Sequence, residues 1–268
     1  MRPLVYLPVF AVSFALNAAE LPTAGHSFAV IAHRGDHTRA HENTLKAFTD
    51  AAVAGIDYVE MDVRRTSDGH YVLMHDSTVN RMTDGHGKVS QMTLDQLRAL
   101  KVRDLKRPEV APDRIPTLEE ALAAIKGRVN VYLDFKEGDR AEVARKIRDA
   151  GVVRQVLVYD EIEAVPEWRK VAPELPLIVS PPETIKTAGA LVSFSKRLGV
   201  EVLDADWDQY SKEMVAAAEN AGIKVWPDIQ GREESPAYFM KVLALGFSGV
   251  QSDNPERLIA WLKEQKRR

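Results

Sequence analysis

Three short stretches carry side chains whose types and spacing suit catalysis: "AHRGDHTRAHEN" (32–43), "YVEMDV" (58–63) with "YVLMHD" (71–76), and "YLDFK" (132–136). Glu60 and Asp62 are separated by one residue, so on a β-strand both point to the same face, and Asp134 and Lys136 repeat the spacing. Three carboxylates converging without a counter-charge repel one another severely. A hard divalent cation with oxygen ligands relieves that repulsion, and with no cysteine in the chain Ca²⁺ or Mg²⁺ suits the set Glu60, Asp62 and Asp134 better than zinc. The competing reading is a metal-free ion network in which Arg34 and Lys136 pair with Glu60 and Asp62. His33 and His75 suit acid–base work: an imidazole with an unperturbed pKa near 6.5 can take a proton while a second one gives it. Arg34 and Lys136, with the cation, would neutralise charge building on the oxygens of an anionic phosphoryl substrate. His26, His70 and His86 read as surface residues.

These residues need a scaffold that delivers them to one place. From residue 28 the chain alternates short apolar runs with amphipathic segments. Strands are expected at 28–32, 58–63, 71–75, 129–135, 155–159, 177–180, 201–205, 223–229 and 249–253, and helices at Thr44–Ala54, Thr117–Ile125, Arg140–Ala150, Ser211–Ala221 and Pro236–Leu245. Gly55, Gly151, Gly222 and Gly246 follow helical segments as C-terminal caps do. Strand–helix alternation at this length points to an α/β fold, a (β/α)8 TIM barrel. Nine strands are one too many. Only "RRTSDG" separates the second from the third, too short for a parallel crossover, so these two form an antiparallel hairpin. A turn centred between Asp68 and Gly69 brings His75 level with Asp62. In such a barrel the functional groups sit at strand C-terminal ends, which are His33 and Arg34, Glu60 and Asp62, His75 and Asp76, Asp134 and Lys136, Trp226 and Asp228, and Asp253. Residues 77–116 hold turn signals, a capped helix (Thr93 to Leu100) and a loop with three prolines. They read as a small inserted subdomain able to wall a pocket, or else as a plain surface excursion.

Composition bounds the rest. Apolar residues make up 45% and charged residues 28%, and the formal charge of −3 comes without basic blocks, which argues against a nucleic-acid partner. Arg2, an apolar run from Leu4 to Leu16 and small Ala18 and Ala19 have the form of a signal peptide over 1–19, against the alternative of a buried N-terminal helix. The expectation is a secreted or periplasmic protein whose barrel domain spans 27–268, with no membrane anchor after cleavage. The absence of cysteine excludes a lipid-modified Cys and any disulfide. Oligomeric state is not written in these patterns.

"HRGDHTRAHENTLKAF", "GIDYVEMDVRRTSDGHYVLMHDSTVNRMTDGHG", "IPTLEEAL", "LDFK", "VWPD" and "GFSGVQSDNP" together resemble the glycerophosphodiester phosphodiesterase family, from about Ala32 to Asn254. The resemblance implies a distorted TIM barrel with a small inserted subdomain, and divalent-metal-dependent hydrolysis of glycerophosphodiesters to glycerol 3-phosphate and an alcohol. It implies His33 and His75 as the acid–base pair, Arg34 as a phosphate contact, Glu60, Asp62 and Asp134 as metal ligands, and Lys136 as electrostatic stabiliser. It further implies attack by the glycerol 2-hydroxyl to form a cyclic phosphate that water opens, with Trp226 as an apolar wall for the glycerol carbons. Three positions depart from the pattern: Asp134 stands where Glu is commoner, His41 where Pro is common, and Pro-Asp-Ile follows Trp226. At position 43, Asn is suited to cap the helix that starts near Thr44. A phospholipase D-like lipid phosphodiesterase and a non-catalytic phosphodiester-binding barrel are the alternative readings. The polar 77–116 segment argues against the first, and the full set of reactive residues against the second.

Overall fold

Short β-branched runs bounded by capped helices give a closed ring of strands here because each parallel strand must return through a helix on the outside. The structure is a computed structural model, described for residues 19–104, 107–231 and 233–268. The leader expected over 1–19 lies outside these residues except for Ala19. The strands are β1 (Ala29–Ala32), β2 (Tyr58–Arg65), β3 (Tyr71–Leu73), β4 (Asn130–Phe135), β5 (Val156–Tyr159), β6 (Leu177–Val179), β7 (Val202–Leu203), β8 (Lys224–Val225) and β9 (Gly249–Ser252). All but β3 are parallel, in the order β8-β7-β6-β5-β4-β2-β1-β9. The ring closes between β8 and β9 through the backbone beyond β8: Gln251 N donates to Pro227 O and Ile229 N to Gln251 O, both at 3.0 Å. The expected eight-stranded parallel barrel is borne out.

The helices are α1 (Leu45–Val53), α2 (Leu94–Arg98), α3 (Leu118–Ile125), α4 (Arg140–Ala150), α5 (Val165–Val171), α6 (Ala188–Leu198), α7 (Lys212–Asn220), α8 (Pro236–Leu243) and α9 (Pro255–Glu264). Seven carry a Ser, Thr or Asp N-cap that accepts a backbone N–H from the first turn: Thr44, Thr93, Thr117, Asp139, Thr187, Ser211 and Ser235. α5 and α6 escape periodicity reading because α5 has seven residues with a proline in its first turn, and α6 carries Gly189 and a buried Ser195 that interrupts its apolar face.

β3 pairs antiparallel with β2, as the spacing requires, but one residue out of the expected register. Val63 faces Leu73, and Met74 N donates to Asp62 O at 3.0 Å, so Met74 and not His75 is level with Asp62. The loop is three residues, Ser67-Asp68-Gly69, closed by Thr66 N to His70 O at 2.8 Å, with Gly69 at φ +85°. A three-residue loop with a left-handed last position is centred on its middle residue, here Asp68, half a residue earlier than a two-residue turn would be. His75 therefore leaves the strand and sits just beyond it.

The main core lies between the barrel and its helices, and a smaller one fills the barrel's lower interior with Ala29, Ile31, Tyr58, Tyr132, Leu157, Ile178, Val202 and Trp226. Residues 77–116 gather a third cluster, in which Val79, Met82, Val89, Leu94, Leu97, Val102 and Ile115 cover Val72 and Met74 of the hairpin arm.

Candidate active site

At the C-terminal mouth of the barrel is a cavity of about 600 Å³ lined by residues from nearly every strand. β1 ends in a sharp turn with Arg34 at φ +53° and Gly35 at φ +81°. A Cβ on Gly35 would stand 2.8 Å from Ala47 Cβ, so only glycine lets the turn pack on α1. The turn is pinned to β2: Arg34 N donates to Glu60 Oε2 at 2.6 Å, and the Asn43 side chain both donates to Asp62 Oδ2 at 2.7 Å and accepts from Asp62 N at 3.1 Å. Asn43 thus serves β2, while Thr44 caps α1, correcting the expectation that Asn43 would cap it.

Glu60, Asp62 and Asp134 each offer a carboxylate oxygen, all within 4.8 Å of one another. Two cations stand among them. Lys136 Nζ is 2.5 Å from Asp134 Oδ2 and 3.3 Å from Asp62 Oδ1, and Arg34 Nε is 3.6 Å from Asp62 Oδ2. The ion network and the acidic cluster, which are alternatives in the sequence, coexist. The cations do not balance the site: burial, then Asp62 and Asp134, push the Glu60 carboxyl well above its ordinary range, and burial lifts Asp134 to about 7 despite Lys136. Burial alone would lower the Lys136 pKa, but Asp134 and Asp62 outweigh it and hold it above the ordinary value. Three converging oxygens short of positive charge form a donor set that fits a hard divalent cation.

Both candidate acid–base histidines line the cavity, and each leans on an aspartate through Nδ1. His33 Nδ1 is 2.7 Å from Asp253 Oδ1, and His75 Nδ1 is 2.8 Å from Asp76 Oδ1. With Nδ1–H donated to a carboxylate, Nε2 is the nitrogen left to exchange a proton. Asp76 is held by Arg81 Nε at 2.8 Å, whose hydrogen bond lowers its pKa to about 2. Burial alone would raise the Asp253 pKa, but hydrogen bonds from His33 and His37 hold it well below the carboxylate range. His37 Nε2 lies 3.1 Å from the same Asp253 oxygen, so the second histidine of the crowded loop braces the first one's partner. Burial lowers the His75 pKa below 6.5, with Arg34 and Lys136 adding to it against Asp62 and Asp76. The third histidine, His41, is buried beneath the 77–116 segment, away from the cavity.

Two expectations need correcting. Trp226 does not wall the cavity: its ring packs 5.1 Å from that of Tyr58 in the lower interior, and Nε1 donates to Ser248 Oγ at 3.2 Å, near the N-terminal end of β9. Its side chain points into the barrel but one layer down. Among its described residues, the 77–116 segment contributes no lining residue either. It supports the mouth from behind, with Arg81 gripping Glu42 at 2.7 and 2.9 Å as well as Asp76, and Arg107 donating to the backbone oxygens of His37 and Ala40.

Sequence reasoning missed the side of the mouth formed by Tyr132, Tyr159, Ser180, Asp204, Gln230 and Gln251, with Asp228 noted but given no role. Tyr132 had a signal, the two-residue spacing that puts it on the face of Asp134. Asp204 had another, since it directly follows β7.

The glycerophosphoryl diester phosphodiesterase family model matches residues 33–257. A glycerophosphodiester phosphodiesterase of Caldanaerobacter subterraneus subsp. tengcongensis is 30% identical over 240 residues, covering 86% of this chain and 96% of the relative. Among solved structures, a glycerophosphodiester phosphodiesterase from Agrobacterium tumefaciens superposes with a TM-score of 0.76 at 25% identity, covering 87% of this chain and 99% of that one. An Oleispira antarctica phosphodiesterase in complex with the product sn-glycerol-3-phosphate gives 0.73 at 25%, covering 88% and 96%. Fold, mouth and near full-length kinship agree, and the chain belongs to the glycerophosphoryl diester phosphodiesterase family of hydrolases.

Proposed function

We propose that the protein hydrolyses glycerophosphodiesters to glycerol 3-phosphate and an alcohol with the help of one divalent cation, Ca²⁺ or Mg²⁺, and two histidines. The observation that carries this reading is the joint presence, in one cavity, of three carboxylate oxygens within 4.8 Å, two cations beside them and two aspartate-braced histidines. Glu60, Asp62 and Asp134 would hold the ion, which when bound supplies positive charge to the phosphoryl oxygens. Arg34 and Lys136 add to that charge from the protein side. The glycerol 2-hydroxyl oxygen forms a bond to phosphorus as one imidazole takes its proton at Nε2. The bond from phosphorus to the head-group oxygen breaks, and the other imidazole protonates that oxygen. Water then opens the cyclic phosphate with the proton transfers reversed, which regenerates both histidines. The Oleispira antarctica relative holds sn-glycerol-3-phosphate, the product this scheme releases.

Release of glycerol 3-phosphate from a panel of glycerophosphodiesters with Ca²⁺ or Mg²⁺, lost on adding EDTA, is expected. Failure to cleave any member removes the proposal. His33→Ala and His75→Ala are each expected to lower kcat by about 10²–10⁴. A phospholipase D-like action on intact lipid is the second reading, and it is disfavoured by the polar cavity mouth. We also propose that the mature protein is exported. Cell fractionation, with an N-terminus beginning at Glu20, tests it.

A further inference from the structure

Across the barrel from Glu60, Asp62 and Asp134, the cavity is bounded by a group of hydrogen-bond acceptors with which no Lys or Arg among the described residues forms an ion pair. In the ring order β7 and β8 stand opposite β2 and β4, and they bring Asp204 and Asp228 to the mouth. Asp204 is buried and accepts from Tyr132 Oη at 2.6 Å and Ala205 N at 2.7 Å. Asp228 Oδ1 accepts from Gln251 Nε2 at 2.5 Å. That bond fixes the Gln251 amide, since a flipped amide would set its oxygen against the carboxylate. Gln251 is 5% exposed and lines the cavity, and its Oε1 has no donor among the described residues; Gln230 Oε1 is in the same position. Buried acceptors without a donor are costly, and a ligand relieves the cost by bringing N–H or O–H groups. Among the described residues, the Lys and Arg side chains that line the cavity are committed elsewhere: Arg34 to Glu42 and Asp62, Lys136 to Asp134 and Asp62, and Arg140 to Asp160 and Glu167.

We propose that this wall, formed by Asp204, Asp228, Gln230 and Gln251, seats the alcohol part of the substrate and selects a protonated primary amine. The inference rests on the phosphodiesterase reading above and adds the head-group class to it. A primary ammonium supplies both missing quantities, positive charge for two carboxylates and N–H donors for two amide oxygens. A quaternary ammonium brings the charge but no N–H, so the amide oxygens remain without donors. A neutral polyol brings hydroxyl donors but no charge, and its oxygen lone pairs face the carboxylates. The rings of Tyr132 and Tyr159, 6.0 Å apart on β4 and β5, line the cavity facing this wall and are compatible with a small cation.

The test compares kcat/KM for glycerophosphoethanolamine, glycerophosphocholine and glycerophosphoglycerol on the full enzyme with its metal. The ethanolamine ester is expected to lead each of the others by about tenfold or more, a gap one unpaired buried polar group can produce. In Asp228→Asn the lead shrinks to within about threefold. Free ethanolammonium should inhibit the wild-type enzyme competitively at about a tenth of the concentration that ethylene glycol requires, a measurement that needs no variant. Equal or faster cleavage of the choline or glycerol ester, or ethylene glycol matching ethanolammonium, overturns the inference and leaves the phosphodiesterase reading standing. Cleavage of none of the three overturns that reading and the inference with it.

Discussion

The proton transfer proposed for His33 requires its two ring nitrogens to be told apart, and the distinction is made by Asp253. The carboxylate at 2.7 Å from Nδ1 holds that proton and leaves Nε2 basic. Asp253 is itself held, with Gly231 N donating to Oδ2 at 3.1 Å, so ring and carboxylate form one braced unit. In Asp253→Asn the amide keeps the shape and also offers an N–H toward Nδ1, which favours the opposite tautomer. We expect kcat to fall by about 10²–10⁴ with KM changed less than threefold, and the ¹⁵N shifts of the His33 ring to report the change of tautomer. Unchanged kcat would remove Asp253 from the mechanism. Much of this scale is legible in the sequence, because His33, Arg34, Glu60, Asp62, His75, Asp134 and Lys136 share strand ends and two-residue spacings. The partnership of His33 with Asp253 is not, since it joins residues 220 positions apart.

Between residue and molecule stand the elements, where register and depth decide which side chains reach the mouth. Periodicity says that Trp226 points into the barrel; it does not say at which layer. The ring lies in the lower interior because Trp226 follows β8 directly, while Asp228, two residues further along, reaches the cavity. Trp226→Ala is therefore expected to destabilise the fold by about 3–5 kcal/mol, read as a lower denaturant midpoint, and to leave KM within about twofold where the protein remains folded. A large rise in KM with unchanged stability would return Trp226 to the substrate. The hairpin teaches the same lesson by one residue: the sequence shows that β2 and β3 must pair, but Gly69 in a three-residue loop shifts the partner of Asp62 from His75 to Met74. The 77–116 segment was legible as an insertion, yet its action through Arg81 and Arg107 depends on contacts that no local pattern encodes.

For the molecule as a whole, the mouth is a place where folding collects negative charge. Glu60 and Asp134 have folded pKa values above their unfolded ones, with Asp134 near 7 against about 3.9 unfolded. Between those values the folded state binds more protons than the unfolded state, so without metal stability falls as pH rises. Each fully titrating group contributes up to about 1.4 kcal/mol per pH unit in that window. We expect Tm of the EDTA-treated protein to decline between pH 5 and pH 8, and Ca²⁺ or Mg²⁺ to raise Tm most at the alkaline end. A metal effect that is absent, or larger at pH 5, would argue against binding at these carboxylates. The eight-stranded ring itself was legible from alternation and length, whereas this imbalance of charge follows from burial, which a sequence does not display.

Between β8 and β9 the ring is joined at its centre by the backbone pair between Gln251 and the 227–229 segment and by the side-chain bond from Gln251 to Asp228, with the Trp226–Ser248 and Gly231–Asp253 bonds at either end. That seam is also part of the wall assigned to the head group. An occupant bridging Asp228 and Gln251 would act as a staple across this join, so that loading the enzyme would tighten its architecture and emptying it would restore the freedom of the last strand to breathe.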